Sequence, residues 1–116
     1  PVPGMAVYAA TKAFVRSFTE AVWGELLGTN VRVLAVSPGA TESEFFVVAG
    51  GKPAGKSMPA SAVVDTMFKA LDASTRRPSV IVGGLNTFTA RLVKFLPEKA
   101  VINMAAKMFL PKRKAK

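Results

Sequence analysis

The sequence predicts an α/β fold with parallel strand pairing. Three observations carry that expectation: a long amphipathic helical pattern over residues 6–27, two short β-branched apolar runs at 31–36 and 79–83, and a second helical pattern between them. Helix and strand alternate along the chain, as they do when helices cross over between parallel strands.

The first helix is read from Tyr8, Thr11, Val15, Phe18, Val22 and Leu26, which recur at steps of three and four and form one face, widened by Phe14. Arg16 and Glu20 stand one turn apart on the other side. Gly28-Thr29-Asn30 stops the helix, with Gly28 suited to a left-handed cap. Val31-Arg32-Val33-Leu34-Ala35-Val36 follows as a strand, and so apolar a run is expected where both faces of a sheet are covered. Ser37-Pro38-Gly39 ends it. Residues 40–58 read as a loop, because Gly50-Gly51, Pro53 and Gly55 interrupt regular structure. Pro59 fits the first turn of a helix running to about Ala73, with Val63, Val64, Met67, Phe68 and Leu71 as its apolar set. Ser79-Val80-Ile81-Val82-Gly83 is the second buried strand. From Leu85 an amphipathic helix bearing Phe88, Leu92, Phe95 and Leu96 runs to a break at Pro97, and Val101, Met104, Ala105, Met108 and Phe109 continue the pattern. Pro111 leads into KRKAK, which is expected to be disordered.

With 116 residues, half of them hydrophobic, the chain suits one domain or a piece of a larger one. It opens at Pro1 with a helix almost at once, so a piece of a longer protein is expected. No signal-peptide pattern is visible, and no apolar run reaches the roughly 18 residues of a membrane span, so a cytoplasmic location is expected. Without cysteine there are no disulfides or thiolate metal sites. Without histidine there is no Ser-His-Asp triad and no histidine-bound metal within this chain. The charge is unevenly spread: residues 1–84 carry +2 and residues 85–116 carry +7 of the total of +9. A nearly neutral body, 1–84, is thus set apart from a basic C-terminal region, 85–116.

The stretch YAATK, residues 8–12, holds the only tyrosine of the chain. Four residues on a helix place Tyr8 and Lys12 on one face. A free phenol ionises near pH 10, too high for a good acid–base group at neutrality. A cation about 4 Å away, at an effective dielectric near 20, is worth about 4 kcal/mol, or roughly three pKa units. The spacing therefore suits proton donation to a carbonyl or acceptance from an alcohol. Taken alone, it is also the spacing of a half-buried tyrosine and a solvated lysine on an ordinary helix, which is the commoner occurrence.

Two stretches carry the reading further. P-x-x-x-x-Y-A-A-T-K-A-F-V, residues 3–15, and V-R-V-L-A-V-S-P-G-A-T-E-S, residues 31–43, resemble the short-chain dehydrogenase/reductase family. The first is similar to that family's active-site helix, the second to its sixth strand and proline-glycine loop. The likeness covers residues 1 to about 84 well and is loose beyond. It implies the C-terminal half of a Rossmann-like doubly wound parallel sheet, with extra amphipathic helices at 85–116. It also implies an NAD- or NADP-dependent oxidoreductase interconverting a carbonyl and an alcohol. By this resemblance Tyr8 would be the catalytic acid–base, and Lys12 would lower its pKa and hydrogen-bond the nicotinamide ribose. Pro38 and Gly39 would open the loop beside the nicotinamide, with Thr41 and Ser43 as cofactor-binding hydroxyls. The family often has threonine where this chain has Ser43. Independently, ligands of open α/β sheets bind beyond the carboxyl ends of the strands, where Pro38–Ser43 would lie. Phe45 and Phe46 would wall an apolar small-molecule substrate or simply anchor their loop. The family's equivalent helix usually packs in a subunit interface, which implies a homo-oligomer.

The family also uses parts with no counterpart here. Gly51 and Gly55 have a suggestive spacing but sit in a proline-containing loop with no strand before them, so they do not form its glycine-rich phosphate-binding turn. Its catalytic serine, about a dozen residues before the tyrosine, its relay asparagine and the residue selecting NADP over NAD are likewise absent. The chain alone is therefore expected to be inactive. For residues 85–116 three readings stand: helices that close the substrate cavity or cover a neighbouring subunit, an interfacial helix meeting anionic lipid, and, last, a nucleic-acid contact through KRKAK, which lacks interleaved aromatics; no nucleic-acid partner is expected. The alternative function is a non-catalytic basic α/β module that binds a membrane surface or a partner.

Overall fold

The computed structural model describes residues 1–44, 48, 57–74 and 76–110. In chain order the elements are α1 (Ala6–Glu25), β1 (Ala35–Ser37), α2 (Ala60–Asp72), β2 (Ser79–Ile81), α3 (Gly84–Val93) and α4 (Glu98–Phe109). The two strands pair in parallel, with Ala35 opposite Ser79, Val36 opposite Val80 and Ser37 opposite Ile81. The expected alternation therefore gives the expected pairing, with α2 in the connection that parallel strands require.

α1 starts from a turn, not from a side-chain cap. The Met5 N–H donates to the Val2 carbonyl at 3.0 Å across Pro3-Gly4, and Met5 offers no capping group. At the other end Gly28 takes φ +86°, the left-handed conformation expected of it, and the Thr29 N–H bonds the Leu26 carbonyl at 3.1 Å. Nothing lies within 4 Å of a Cβ placed there, so the backbone angle, not lack of space, calls for glycine.

The strands are shorter than their sequence suggests. A strand was expected over 31–36, and β1 covers only Ala35–Ser37. Ladder bonds need a partner, and β2 begins opposite Ala35, so Val31–Leu34 have none to join. That stretch is pinned instead by side chains: the Arg32 guanidinium donates to the Leu71 carbonyl, and Arg76 donates to the Thr29 carbonyl at 3.0 Å. The strand expected over 79–83 closes at Ile81, although the Val82 N–H still bonds the Ser37 carbonyl at 3.1 Å. The segment 40–58, expected to be loop, contains a parallel bridge between Thr41 and Met58. The Met58 N–H donates to the Ala40 carbonyl at 2.8 Å, and its carbonyl accepts from the Glu42 N–H at 2.9 Å. The rest of that expected loop, 45–47 and 49–56, and the KRKAK tail lie outside the described residues.

Burial is sparse. Among the described residues Val82, 3 % exposed, is the one buried apolar side chain. The strands are half-buried, where cover on both faces was expected. The reason is the size of the sheet: two strands flanked by α1 and α2 offer little interior. The chain extends 61 × 30 × 24 Å with a radius of gyration of 16.5 Å, against about 13 Å for a compact domain of this length.

Candidate active site

α1 packs beside β1, and the segment following β1 folds across the same end. Between them lies a cleft of about 790 Å³. Its helical wall is formed by Tyr8, Lys12, Val15 and Thr19, at steps of four, three and four, which is one face of α1. Its opposite wall is β1 and the backbone from Pro38 to Thr41, together with Ser43. Val2, Met5, Arg16, Leu34 and Phe109 complete the lining.

The electrostatics centre on Tyr8. The Lys12 ammonium stands over the Tyr8 ring, 5.6 Å from its centroid, within cation–π range. Arg16 also borders the cleft, but its guanidinium is bonded to Glu20 at 2.9 Å. That hydrogen bond, and a second from Ser79, hold the Glu20 carboxyl below its ordinary range. Arg16 is thus neutralised locally, and Lys12 is the cation set over the phenol. The Thr41 hydroxyl donates to the Gly39 carbonyl at 3.1 Å, and the Ser43 hydroxyl reaches the Thr41 carbonyl at 3.5 Å. These local bonds gather Gly39–Ser43 into a tight segment and leave the hydroxyl lone pairs open to accept.

Six residues singled out from the sequence, Tyr8, Lys12, Pro38, Gly39, Thr41 and Ser43, therefore border one cleft. Phe45 and Phe46 lie outside the described residues. Phe109 was read only as part of an amphipathic helix, yet it lines the cleft next to the N-terminal turn, with its carbonyl 3.6 Å from a Cβ built on Gly4. No local signal could have placed it there, because α4 returns to the N-terminus only through the tertiary fold. A second cavity, bordered by Trp23, Leu27 and Arg76, measures only about 20 Å³ and is too small for more than a water. Among the described residues no group of three or more acidic side chains is placed to hold a metal ion, and no helix is long and apolar enough to cross a membrane.

A phosphate cradle would need a strand running through glycines into a helix N-terminus. β2 does run through Gly83-Gly84 into α3. The Gly83 side of that turn is filled by protein atoms, since a Cβ on Gly83 would meet Asn86 Nδ2 at 3.1 Å and Met58 Cε at 3.4 Å, whereas nothing lies within 4 Å of a Cβ on Gly84.

Residues 1–50 match the family described as short chain dehydrogenase. Among curated proteins, sulfoacetaldehyde reductase 2 of Chromohalobacter salexigens is 51% identical over 51 residues, covering 44% of this chain and 20% of the relative. Serine 3-dehydrogenase of Agrobacterium fabrum is 43% identical over 51 residues, with the same coverage. NADP-dependent 3-hydroxy acid dehydrogenase of Schizosaccharomyces pombe is 42% identical over 45 residues, 39% of this chain and 17% of the relative. The matched stretch spans about a fifth of the length of these relatives. No solved structure matches at comparable significance.

Proposed function

We propose that this chain, whose residues 1–50 match the short chain dehydrogenase family, carries the acid–base half of a nicotinamide-dependent oxidoreductase interconverting a carbonyl and an alcohol. The observation that carries this is the shared cleft: the one tyrosine of the chain, with a lysine ammonium over its ring, faces the end of a parallel strand and its proline-glycine segment.

The residues present fit the nicotinamide-ribose end of a dinucleotide. The volume is that of a small-molecule site. Lys12, Thr41 and Ser43 supply donors and acceptors for ribose and amide groups, and Gly39-Ala40 keeps the strand-end wall low. When bound, NAD or NADP supplies or accepts the hydride. Tyr8 gives a proton to the substrate oxygen as a carbonyl is reduced, and takes it back as an alcohol is oxidised. Lys12 favours the negative charge that develops on the phenolic oxygen and donates to the ribose. Met5, Val15 and Phe109 present apolar surface to the cleft and favour an apolar substrate. We place the phosphate-binding half, and the remaining catalytic groups, in residues outside this sequence, and the isolated chain is then inactive.

The test is the full-length polypeptide with Tyr8→Phe. General acid–base catalysis contributes about 10²–10⁴-fold, so kcat is expected to fall by that order while the nucleotide still binds. A parent that binds no nicotinamide nucleotide, or a variant that turns over as the parent does, refutes the reading.

A second observation favours lipid contact by residues 85–116. Leu85 (78 % exposed), Phe88, Leu92 and Phe95 (85 % exposed) form one outward stripe on and just beyond α3, flanked by Arg91 and Lys94. We assign this stripe to an anionic lipid surface. A second copy of the chain would bring a further +9 against it, whereas each lysine or arginine near an anionic bilayer gains about 1 kcal/mol. Flotation with vesicles containing phosphatidylserine, lost with neutral lipid and with Phe88→Ser/Phe95→Ser, is the expected result. No binding to the anionic vesicles, or flotation that ignores lipid charge, refutes it.

A further inference from the structure

The first turn of α3 is fastened onto the end of the sheet. Asn86 Nδ2 donates to the Val82 carbonyl at 2.9 Å. The Thr87 hydroxyl donates to the Gly83 carbonyl at 2.9 Å and lies 3.2 Å from the Ile81 carbonyl oxygen. Val82, between these bonds, is the one buried residue among those described, and its N–H holds the Ser37 carbonyl at 3.1 Å. The end of β2, the start of α3 and the end of β1 are therefore tied at one point.

The Asn86 carboxamide also fills the space above Gly39. A Cβ on Gly39 would fall inside contact distance of Asn86 Nδ2 and lie 3.1 Å from its Cγ and 3.4 Å from its Oδ1. Real side chains do not approach so closely, so glycine at 39 and asparagine at 86 are fitted to each other. Gly39 in turn accepts the Thr41 hydroxyl, and Gly39, Thr41 and Ser43 border the cleft opposite Tyr8. We propose that Asn86 is a positioning residue: through its contact with Gly39 it fixes how far the Pro38–Ser43 segment stands from Tyr8 and Lys12, and so fixes the nucleotide-side wall of the cleft. The effect on nucleotide binding rests on the redox reading above; the Asn86–Gly39 fit does not.

The test is a double-mutant cycle in the full-length polypeptide: parent, Gly39→Ala, Asn86→Ala and both together, read by denaturation midpoint and by the Kd for NADH and NADPH. The added methyl overpacks a fitted contact, so Gly39→Ala is expected to weaken nucleotide binding about tenfold and to lower the midpoint. In the Asn86→Ala background the same methyl enters vacated space and should cost far less in both readouts. Equal costs of Gly39→Ala in the parent and Asn86→Ala backgrounds overturn the proposal. If Gly39→Ala does not fold, recovery of folding in the double variant supports it and continued failure overturns it. A parent that binds no nucleotide sinks the redox reading alone; the midpoints then decide whether Asn86 sets the segment.

Discussion

Replacing Lys12 with methionine removes the cation above Tyr8 while keeping much of the side-chain volume, and the geometry sets the size of the effect. In the proposed reaction negative charge grows on the phenolic oxygen as its proton leaves. Taking the 5.6 Å from the ammonium to the ring centroid as the scale of the separation, that charge gains about 3 kcal/mol at an effective dielectric near 20 and about 0.7 kcal/mol at the dielectric of water. These figures correspond to about 150-fold and about threefold in rate. Tyr8 is 43 % exposed in this chain, so the isolated cleft lies toward the lower figure, and a cleft closed by bound substrate and the rest of an enzyme moves toward the higher. The assay is kcat/KM of the full-length polypeptide over a range of ionic strength, with Lys12→Met and Lys12→Arg beside the parent. Lys12→Met should lose between these limits, and Lys12→Arg, which keeps the charge, should lose less. Parent-like activity in Lys12→Met refutes the electrostatic role. Equal losses in both variants refute it too, because charge would then not be what matters.

Three smaller effects can be checked by denaturation of the same polypeptide. Gly28→Ala meets no atom within 4 Å but must hold φ +86°, so it should cost about 1–2 kcal/mol, and no loss would mean that the turn rearranges. Val82→Ala removes two methyl groups from the most buried of the described positions and should cost about 2 kcal/mol once the cavity is counted. The Glu20 carboxyl, lowered below its usual 4.5 chiefly by Arg16 and then by Ser79, adds stability that is complete above that value and fades as the pH falls through the lowered one. The pair is surface-exposed, so Glu20→Gln should cost only about 0.3–0.5 kcal/mol near neutral pH and nothing at about pH 2; a cost unchanged at low pH would contradict the assignment.

The helices were legible because their signals are local. The run from Tyr8 to Leu26 and the stop at Gly28 place α1 to within two residues of its end at Glu25. The strands were less so. The run Val31-Arg32-Val33-Leu34 has the composition of a strand, but a strand is a shared hydrogen-bond pattern, and the neighbour that would complete it starts at Ser79, opposite Ala35. The Thr41–Met58 bridge was hidden for the same reason, inside a segment rich in glycine and proline. At the site, Tyr8 and Lys12 announce themselves by spacing, and Pro38-Gly39 by ending a strand. Asn86 gave no sign, because an asparagine in the first turn of a helix is ordinary until the sheet brings it over a glycine 47 positions away.

The same sparse sheet shapes the chemistry of the surface. A parallel sheet is stable when both faces are covered, yet here large apolar side chains stay open on two separate faces. On α1, Phe14 and Phe18 stack with centroids 6.1 Å apart while both are more than half exposed, and the neighbouring charges, Arg16 and Glu20, neutralise each other. On α3 and α4, the exposed Leu, Phe and Met side chains lie among Arg91, Lys94, Lys99 and Lys107, which make no salt bridge among the described residues, although Lys94 acts on the Glu20 carboxyl at longer range. Apolar area alone does not distinguish the two faces; charge does. A charge-balanced face can be buried against protein without stranding an ion, whereas unpaired cations would each carry a desolvation cost unless the covering surface is negative. The uneven charge along the sequence, +2 then +7, is in keeping with the surroundings proposed above, polypeptide over the region holding the candidate site and an anionic surface over the region following it.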